Sequence, residues 1–202
     1  MPDVITVDLI RHGVTVAGTC FLGATDAPLT EQGWLQMQSA IELAVAAPCY
    51  QQVVSSPLLR CVDFARRYTK DNNLPLHIES DLREINFGAW EGKTAAEVWE
   101  TQQQQLSAFW SDPANNSPPS GESYRVFQQR VDSAFKKLLS QAECENMLII
   151  GHGGVIRQII SSILHLSPET SHSLYFDYAG MSRVESYNGN LSLRFINQQI
   201  QS

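Results

Sequence analysis

The chain has 202 residues, 43% hydrophobic and 17% charged, with 12 Gly and 9 Pro. That length and balance suit one folded domain, or one with a small insertion, and exclude a disordered tail or a fibrous repeat. Lys and Arg number 14 against 21 Asp and Glu, a formal net charge of −7, so the surface repels nucleic acid and anionic lipid and neither is expected as a partner.

Residues 4–10 (VITVDLI) are β-branched and almost wholly apolar, the pattern of a strand covered on both faces in a parallel sheet, and they stop at Arg11-His12-Gly13. Thr30 then caps a predicted helix from Glu31 to about Ala46, with Leu35, Ile41 and Val45 among its apolar positions. Residues 52–54 read as a short strand. In Ser55-Ser56-Pro57, Ser56 is the expected N-cap and Pro57 the first helical residue, where its missing N–H costs nothing. Leu58, Cys61, Val62, Ala65 and Tyr68 follow at three- and four-residue spacing, an amphipathic helix.

Residues 76–78 predict another short strand and residues 82–92 (LREINFGAWEG) an irregular loop. A helix is expected over about 94–110, then a proline-rich loop over 111–120 (SDPANNSPPS). Tyr124, Phe127, Val131, Ala134, Phe135 and Leu138 mark the next helix, and residues 147–150 a second apolar strand that runs into Gly151-His152-Gly153-Gly154. Val155, Ile156, Ile159, Ile160, Ile163 and Leu164 form a broad helical stripe. Residues 182–187 and 191–196 alternate around Asn188-Gly189, a hairpin signal.

Strands alternating with helices imply an α/β fold in three layers, α/β/α, with a largely parallel sheet, an antiparallel edge and a mainly helical insertion at about 84–120. No apolar run approaches the ~20 residues that cross a bilayer. Cys20, Cys49, Cys61 and Cys144 show no C-x-x-C spacing and no secretory leader precedes them, so free thiols and a cytoplasmic location are expected.

In such folds ligands bind beyond the carboxyl ends of the strands. Those ends carry Arg11-His12-Gly13, Ser55-Ser56 leading to Arg60, and the stretch from Gly151 to Gly154. Two of only five histidines thus follow core strands directly, beside glycines that let a ligand come close. Arg11 and Arg60 supply two guanidinium forks, a good receptor for a phosphoryl dianion, whereas Arg66, Arg67 and Arg130 are expected to be solvated or paired with surface carboxylates. A neutral imidazole nitrogen is nucleophilic near pH 7, and neighbouring guanidiniums keep it unprotonated. The leaving alkoxide then needs a proton, which a carboxylic acid beside the incoming dianion can give. Glu84, Glu91 and Glu122 are the candidates, and residue pattern alone does not choose among them.

Residues 9–13 (LIRHG), 23–36 (GATDAPLTEQGWLQ), 55–61 (SSPLLRC), 82–92 and 149–155 (IIGHGGV), in this order, resemble the histidine phosphatase superfamily, whose other well-known branch is the phosphoglycerate mutases. The resemblance implies that His12 is the phosphoryl-accepting nucleophile, that Arg11, Arg60 and His152 bind phosphate, and that Glu84 is the general acid. It adds Thr15, Gly23 and Gly153 as substrate-binding positions and calls for no metal and no cofactor. Residues 109–122 (FWSDPANNSPPSGE) are most similar to α-ribazole phosphatases, which implies a small-molecule phosphomonoester, α-ribazole 5′-phosphate of cobalamin assembly, as substrate. Many relatives read R-H-G-E-T with an Asn three positions beyond the Thr. Here Val14, Thr15 and Gly18 stand there, so one side-chain donor to phosphate is missing.

Phe87, Trp90, Trp99, Phe109 and Trp110 are expected mainly in the core; if one faces the site, Phe87 or Trp90, nearest to Glu84, is the ring expected to stack on an aromatic leaving group. A mutase or a broad-specificity phosphatase of small metabolites would share the same nucleophile. A mutase needs a strongly cationic closed pocket, yet Lys93 is the only cation between Glu84 and Ser120, so hydrolysis is favoured. A non-catalytic nucleotide-binding module fits less well, because Gly151 to Gly154 lacks the third glycine of the dinucleotide fingerprint and the Lys-Ser/Thr of a P-loop. A zinc site on His12 and His152 lacks a Cys or carboxylate at ligand spacing. The oligomeric state is left open.

Overall fold

The computed structural model describes residues 2–42 and 49–199. Strand β1 (Val4–Arg11) leads through a loop into helix α1 (Glu31–Glu42), and Thr30 Oγ1 accepts the Gly33 N–H at 2.9 Å, as its expected cap. The buried stripe of α1 runs through Gly33, Met37, Ala40 and Ile41. Leu35, expected on that stripe, is 64% exposed. The cause is the contact between Gly33 and the loop after β1, which fixes the face that α1 turns inward. Val45 and the expected helix end at Ala46 lie outside the described residues.

Strand β2 (Gln52–Ser55) feeds helix α2 (Leu59–Asn72). This helix starts later than Ser56 and Pro57 led us to expect: its N-cap position is Leu58, in extended conformation with no side-chain cap. Asp26 Oδ1 accepts the Leu59 N–H at 2.7 Å instead, so a carboxylate from a distant loop meets the orphan donor. Ser56 is drawn to His152. Cys61, Val62 and Ala65 are buried as the spacing requires, and Leu58 and Tyr68 are half-buried.

After β3 (Leu76–Ile78) the chain makes two short 3-10 turns, Ser80–Leu82 and Gly88–Trp90, before α3 (Ala95–Ser111), which opens with a Thr94/Glu97 capping box. A kink at Gln102 interrupts α3, and the Gln102 Oε1 accepts the Trp90 indole N–H at 2.9 Å. Trp90, Val98, Leu106 and Phe109 form a small core of their own. Then follow α4 (Tyr124–Ser140), β4 (Asn146–Gly151), α5 (Gly153–Ile163), the single-turn α6 (Pro168–Ser171), and the hairpin β5 (Met181–Tyr187) to β6 (Asn190–Gln198). Asn188 and Gly189 turn that hairpin with φ of 48° and 81°, the left-handed pair such a tight turn needs.

The sheet order is β3-β2-β4-β1-β5-β6. β1, β2, β3 and β4 run parallel, and β5 and β6 add the antiparallel edge. Alternation along the strands sends Val7, Leu9, Met147 and Ile149 into a core shared with α4 and α5, and Ile10, Val53, Leu148 and Ile150 into a second core under α1 and α2. The three layers follow from that period of two. Register pairs Arg11 with Gly151 and Ser55 with Ile150, so the carboxyl ends of three strands deliver His12, Ser56 and His152 to one place. Cys20, Cys49, Cys61 and Cys144 are free. No helix among the described residues is long and apolar enough to cross a membrane.

Candidate active site

His12 leaves the end of β1 with its backbone N–H bonded to the Gly151 carbonyl at 3.0 Å. Its Nδ1 lies 2.8 Å from the Gly13 carbonyl. A carbonyl only accepts, so Nδ1 carries the proton and Nε2 keeps its lone pair. The ring is 5% exposed. Burial first, then the Arg60 and Arg11 guanidiniums, pull its pKa down to about 3 against the opposing pull of the Gly13 hydrogen bond. The imidazole is therefore neutral across the physiological range. Gly13, expected to open the way to a ligand, has a different use: a Cβ there would stand 2.2 Å from the Gly33 carbonyl oxygen, so the glycine lets α1 close on this loop.

His152 follows β4 and is fully buried, its ring centroid 5.3 Å from that of His12. Its Nδ1 accepts from Arg60 Nε at 3.2 Å, which leaves the proton on Nε2, 2.7 Å from Ser56 Oγ. Burial, then Arg60, His12, Arg11 and Arg130, hold its pKa well below the ordinary histidine value. Arg60, in the first turn of α2, is fully buried. Besides His152 it donates to the carbonyls of Thr25 at 3.0 Å, Leu22 at 3.1 Å and Gly23 at 2.8 Å. One N–H on Nη1 is left of the guanidinium's five.

Arg11 gives Nη1 to the Phe176 carbonyl at 2.6 Å and sits over the face of Tyr178, its guanidinium carbon 4.0 Å from the ring centroid. Its Nε is buried with no partner among the described residues, and so is the Thr15 hydroxyl. Neither Arg11 nor Arg60 takes part in an ion pair there. A buried and a half-buried guanidinium without counter-charge, an unpartnered buried donor on Arg11 and a neutral imidazole make a receptor for an anion. Gly153 opens α5 against the Arg11 side chain, adding a helix N-terminus to the same place.

The three glutamates separate cleanly. Glu84 is 9% exposed; its Oε2 accepts the Gly154 N–H at 2.9 Å and its Oε1 the Ile85 N–H at 3.0 Å, beside the start of α5. Glu91 instead gathers the N–H groups of Gly23, Ala24, Thr25 and Phe87. Burial pushes its carboxyl up, but the hydrogen bonds from Thr25, Phe87 and Ala24 prevail and keep it below the usual carboxylate value. Glu122 is locked to Arg130 by two bonds of 2.7 and 2.8 Å. Gly23, expected among the substrate-binding positions, has its N–H on Glu91 and its carbonyl on Arg60. Arg130 overturns the expectation of a solvated or surface-paired side chain: it is 8% exposed and also binds the carbonyls of Asp81, Arg83 and Glu84. Arg66 and Arg67 do pair with Asp63 and Asp71 at the surface.

A cavity of about 470 Å³ extends from Glu84 and Gly154 between Phe21, Phe87, Phe109, Trp110, Tyr124 and Phe127, with Arg157 and His172 also on its wall. Phe87 is thus placed as expected, but Trp90 is fully buried and belongs to the core beneath. Sequence reasoning missed Ser56, Tyr178 and Arg157. Ser56 left a signal there as a strand-end residue, though it was assigned as a cap, and Arg157 left one as well, one helical turn beyond Gly153 on the same face of α5.

The sequence matches the family described as histidine phosphatase superfamily, branch 1, over residues 7–199. It is 28% identical over 193 residues to the adenosylcobalamin/alpha-ribazole phosphatase of Salmonella typhimurium, covering 95% of each chain. The structure resembles that of the alpha-ribazole phosphatase from Shigella flexneri with a TM-score of 0.84 and 28% identity, covering 98% of this chain and 100% of that one. Identity is also 28% over 177 residues to a 2,3-bisphosphoglycerate-dependent phosphoglycerate mutase of Gloeobacter violaceus, covering 84% of this chain and 80% of that one. An anion receptor built on two strand-end histidines, matched along nearly the whole chain, places this protein in the histidine phosphatase superfamily.

Proposed function

We propose that the protein is a phosphomonoesterase that works through a phosphohistidine on His12, with α-ribazole 5′-phosphate as its substrate. The observation that carries the reading is the His12 ring itself, neutral, with Nδ1 committed to Gly13 and Nε2 available, beside two arginines that lack counter-charges. In the first step the phosphate dianion sits between Arg11 and Arg60 and His12 Nε2 attacks phosphorus. The N–P bond forms as the ester P–O bond breaks. Glu84, carrying a proton, gives it to the leaving oxygen; each of its oxygens accepts one backbone N–H and keeps lone-pair room for that proton. Water then attacks the phosphohistidine, its proton returns to Glu84, and inorganic phosphate leaves. The aromatic cavity next to Glu84 supports a flat leaving group, and the relatives named alpha-ribazole phosphatases support the particular one.

Rapid quenching of the reaction with labelled substrate is expected to trap an acid-labile, base-stable phosphoenzyme, and His12→Ala to remove both it and turnover. Turnover without labelled histidine would defeat the reading. Glu84→Gln should slow alkyl esters at least a hundredfold more than nitrophenyl phosphate, whose leaving group needs no proton; equal slowing would remove Glu84 from the acid role. Release of phosphate from α-ribazole 5′-phosphate at a kcat/KM tenfold or more above phosphoserine and 3-phosphoglycerate tests the substrate.

A further inference from the structure

Arg157 extends from α5 one turn beyond Gly153 and Gly154 and is half-buried. Its Nε donates to the Leu174 carbonyl at 3.0 Å, which anchors the stem of the fork. Nη1 and Nη2 have no hydrogen-bond partner among the described residues, and Arg157 forms no ion pair there. Both nitrogens belong to a side chain on the wall of the cavity that starts at Glu84, which Phe21, Phe87, Phe109 and Trp110 also line. The rings have no oxygen to offer those donors, and the Glu84 carboxylate on the same wall accepts from the Ile85 and Gly154 N–H groups instead. Gln158, the amide on the same wall, has both Nε2 donors on Asp132 and Ser162 and its Oε1 accepting from Tyr124.

We infer that Arg157 is the specificity-determining residue of this site, donating to oxygen acceptors on the alcohol part of the ester while the four aromatic rings take its flat apolar part. The inference rests on the phosphomonoesterase reading above. Phosphate is bound at the strand ends, and Arg157 reads what is attached to it. A phosphorylated riboside offers both parts at once: a planar base for the rings and sugar hydroxyl oxygens for the fork. The anchoring through Nε keeps Nη1 and Nη2 pre-aligned, so little rotamer freedom is lost on binding. Burial lowers the pKa of this guanidinium, with Glu84 opposing the shift, so the fork sits where any hydrogen bond it makes is poorly screened.

The test compares wild type with Arg157→Met on three ester types: α-ribazole 5′-phosphate, with sugar hydroxyls; phosphoserine, with a carboxylate; and phenyl phosphate, with neither. A loss in kcat/KM at least tenfold larger on either oxygen-bearing ester than on phenyl phosphate is the expected result, and the ester that suffers more identifies the acceptor. Equal losses on all three would overturn the assignment, as would losses that follow leaving-group pKa, the mark of an effect through Glu84. Independently of turnover, unphosphorylated α-ribazole should bind His12→Ala at least tenfold more tightly than the His12→Ala/Arg157→Met pair in calorimetry; equal affinity would also overturn it. Failure of wild type to cleave any ester would count against the phosphomonoesterase reading, while the calorimetric comparison would still report on Arg157. Arg157→Lys, which retains the charge without the fork, should recover less than half of the lost discrimination on a logarithmic scale.

Discussion

Tyr178 shows how a single side chain tunes the anion receptor. Its ring lies beneath the Arg11 guanidinium at 4.0 Å and 5.8 Å from the His12 ring, so it fixes the plane of the fork that the proposed dianion would meet. A stacked cation of this kind is worth about 0.5–2 kcal/mol. Tyr178→Leu is therefore expected to lower kcat/KM on nitrophenyl phosphate about fivefold to tenfold and to weaken inhibition by inorganic phosphate in parallel. Tyr178→Phe, which keeps the face and drops the hydroxyl, should stay within about twofold; a loss as large as that of the Leu variant would point to the hydroxyl instead. No local pattern in the sequence announces this residue, because the contact joins positions 165 or more apart in the chain: the loop before β5 returns over the end of β1.

The elements that bring the site together divide into those written locally and those written at long range. Strands β1, β2 and β4, the cap of α1 and the terminal hairpin were legible because each depends on neighbours within a few residues. His12 and His152 were legible for the same reason, each standing just past an apolar run. Which glutamate faces the site was not, since Glu84, Glu91 and Glu122 differ only in their partners across the fold. Ser56 misled as a cap because His152 competes for its hydroxyl, whereas Trp90 lies in a core, where Gln102 satisfies its indole N–H. Arg130 is the sharpest case: a charged position on the amphipathic α4 turns inward to hold the carbonyls of Asp81, Arg83 and Glu84 and the carboxylate of Glu122. Removing it strands a buried anion. Arg130→Met should cost about 3–5 kcal/mol in urea unfolding, and Arg130→Met/Glu122→Leu should regain at least half of that. Full stability in the single variant would show that the pair is solvated.

At the scale of the whole molecule, a net charge of −7 surrounds a centre where Arg11, Arg60 and Arg157 gather around two neutral histidines. Both histidines have folded-state pKa values depressed below the ordinary 6.5. As pH falls beneath that value the unfolded chain binds protons that the folded chain refuses, down to about pH 3 for His12. Stability is thus complete above about pH 6.5 and lost on acidification through that window, by at most about 1.4 kcal/mol per pH unit for each histidine. Urea midpoints between pH 7.5 and pH 5 should fall accordingly, with His172, whose pKa burial also lowers, adding to the slope, and His12→Asn should flatten that slope by about a third to a half; an unchanged slope would mean that His12 is already protonated in the fold.

Three rings of the cavity, Phe87, Phe109 and Trp110, stand on the stretch between β3 and α4, whereas His12, Arg60 and His152 stand on the sheet's own strand ends or just beyond them. Most of the rings proposed to take the leaving group thus stand on a different length of chain from the side chains proposed to grip phosphorus, while Arg157 of α5 stands beside the latter. On the proposed reading, drift in residues 85–120 re-tailors the rings while Glu84 and the strand-end histidines stay in place, and grafting that length between relatives is the direct way to exchange one appetite for another.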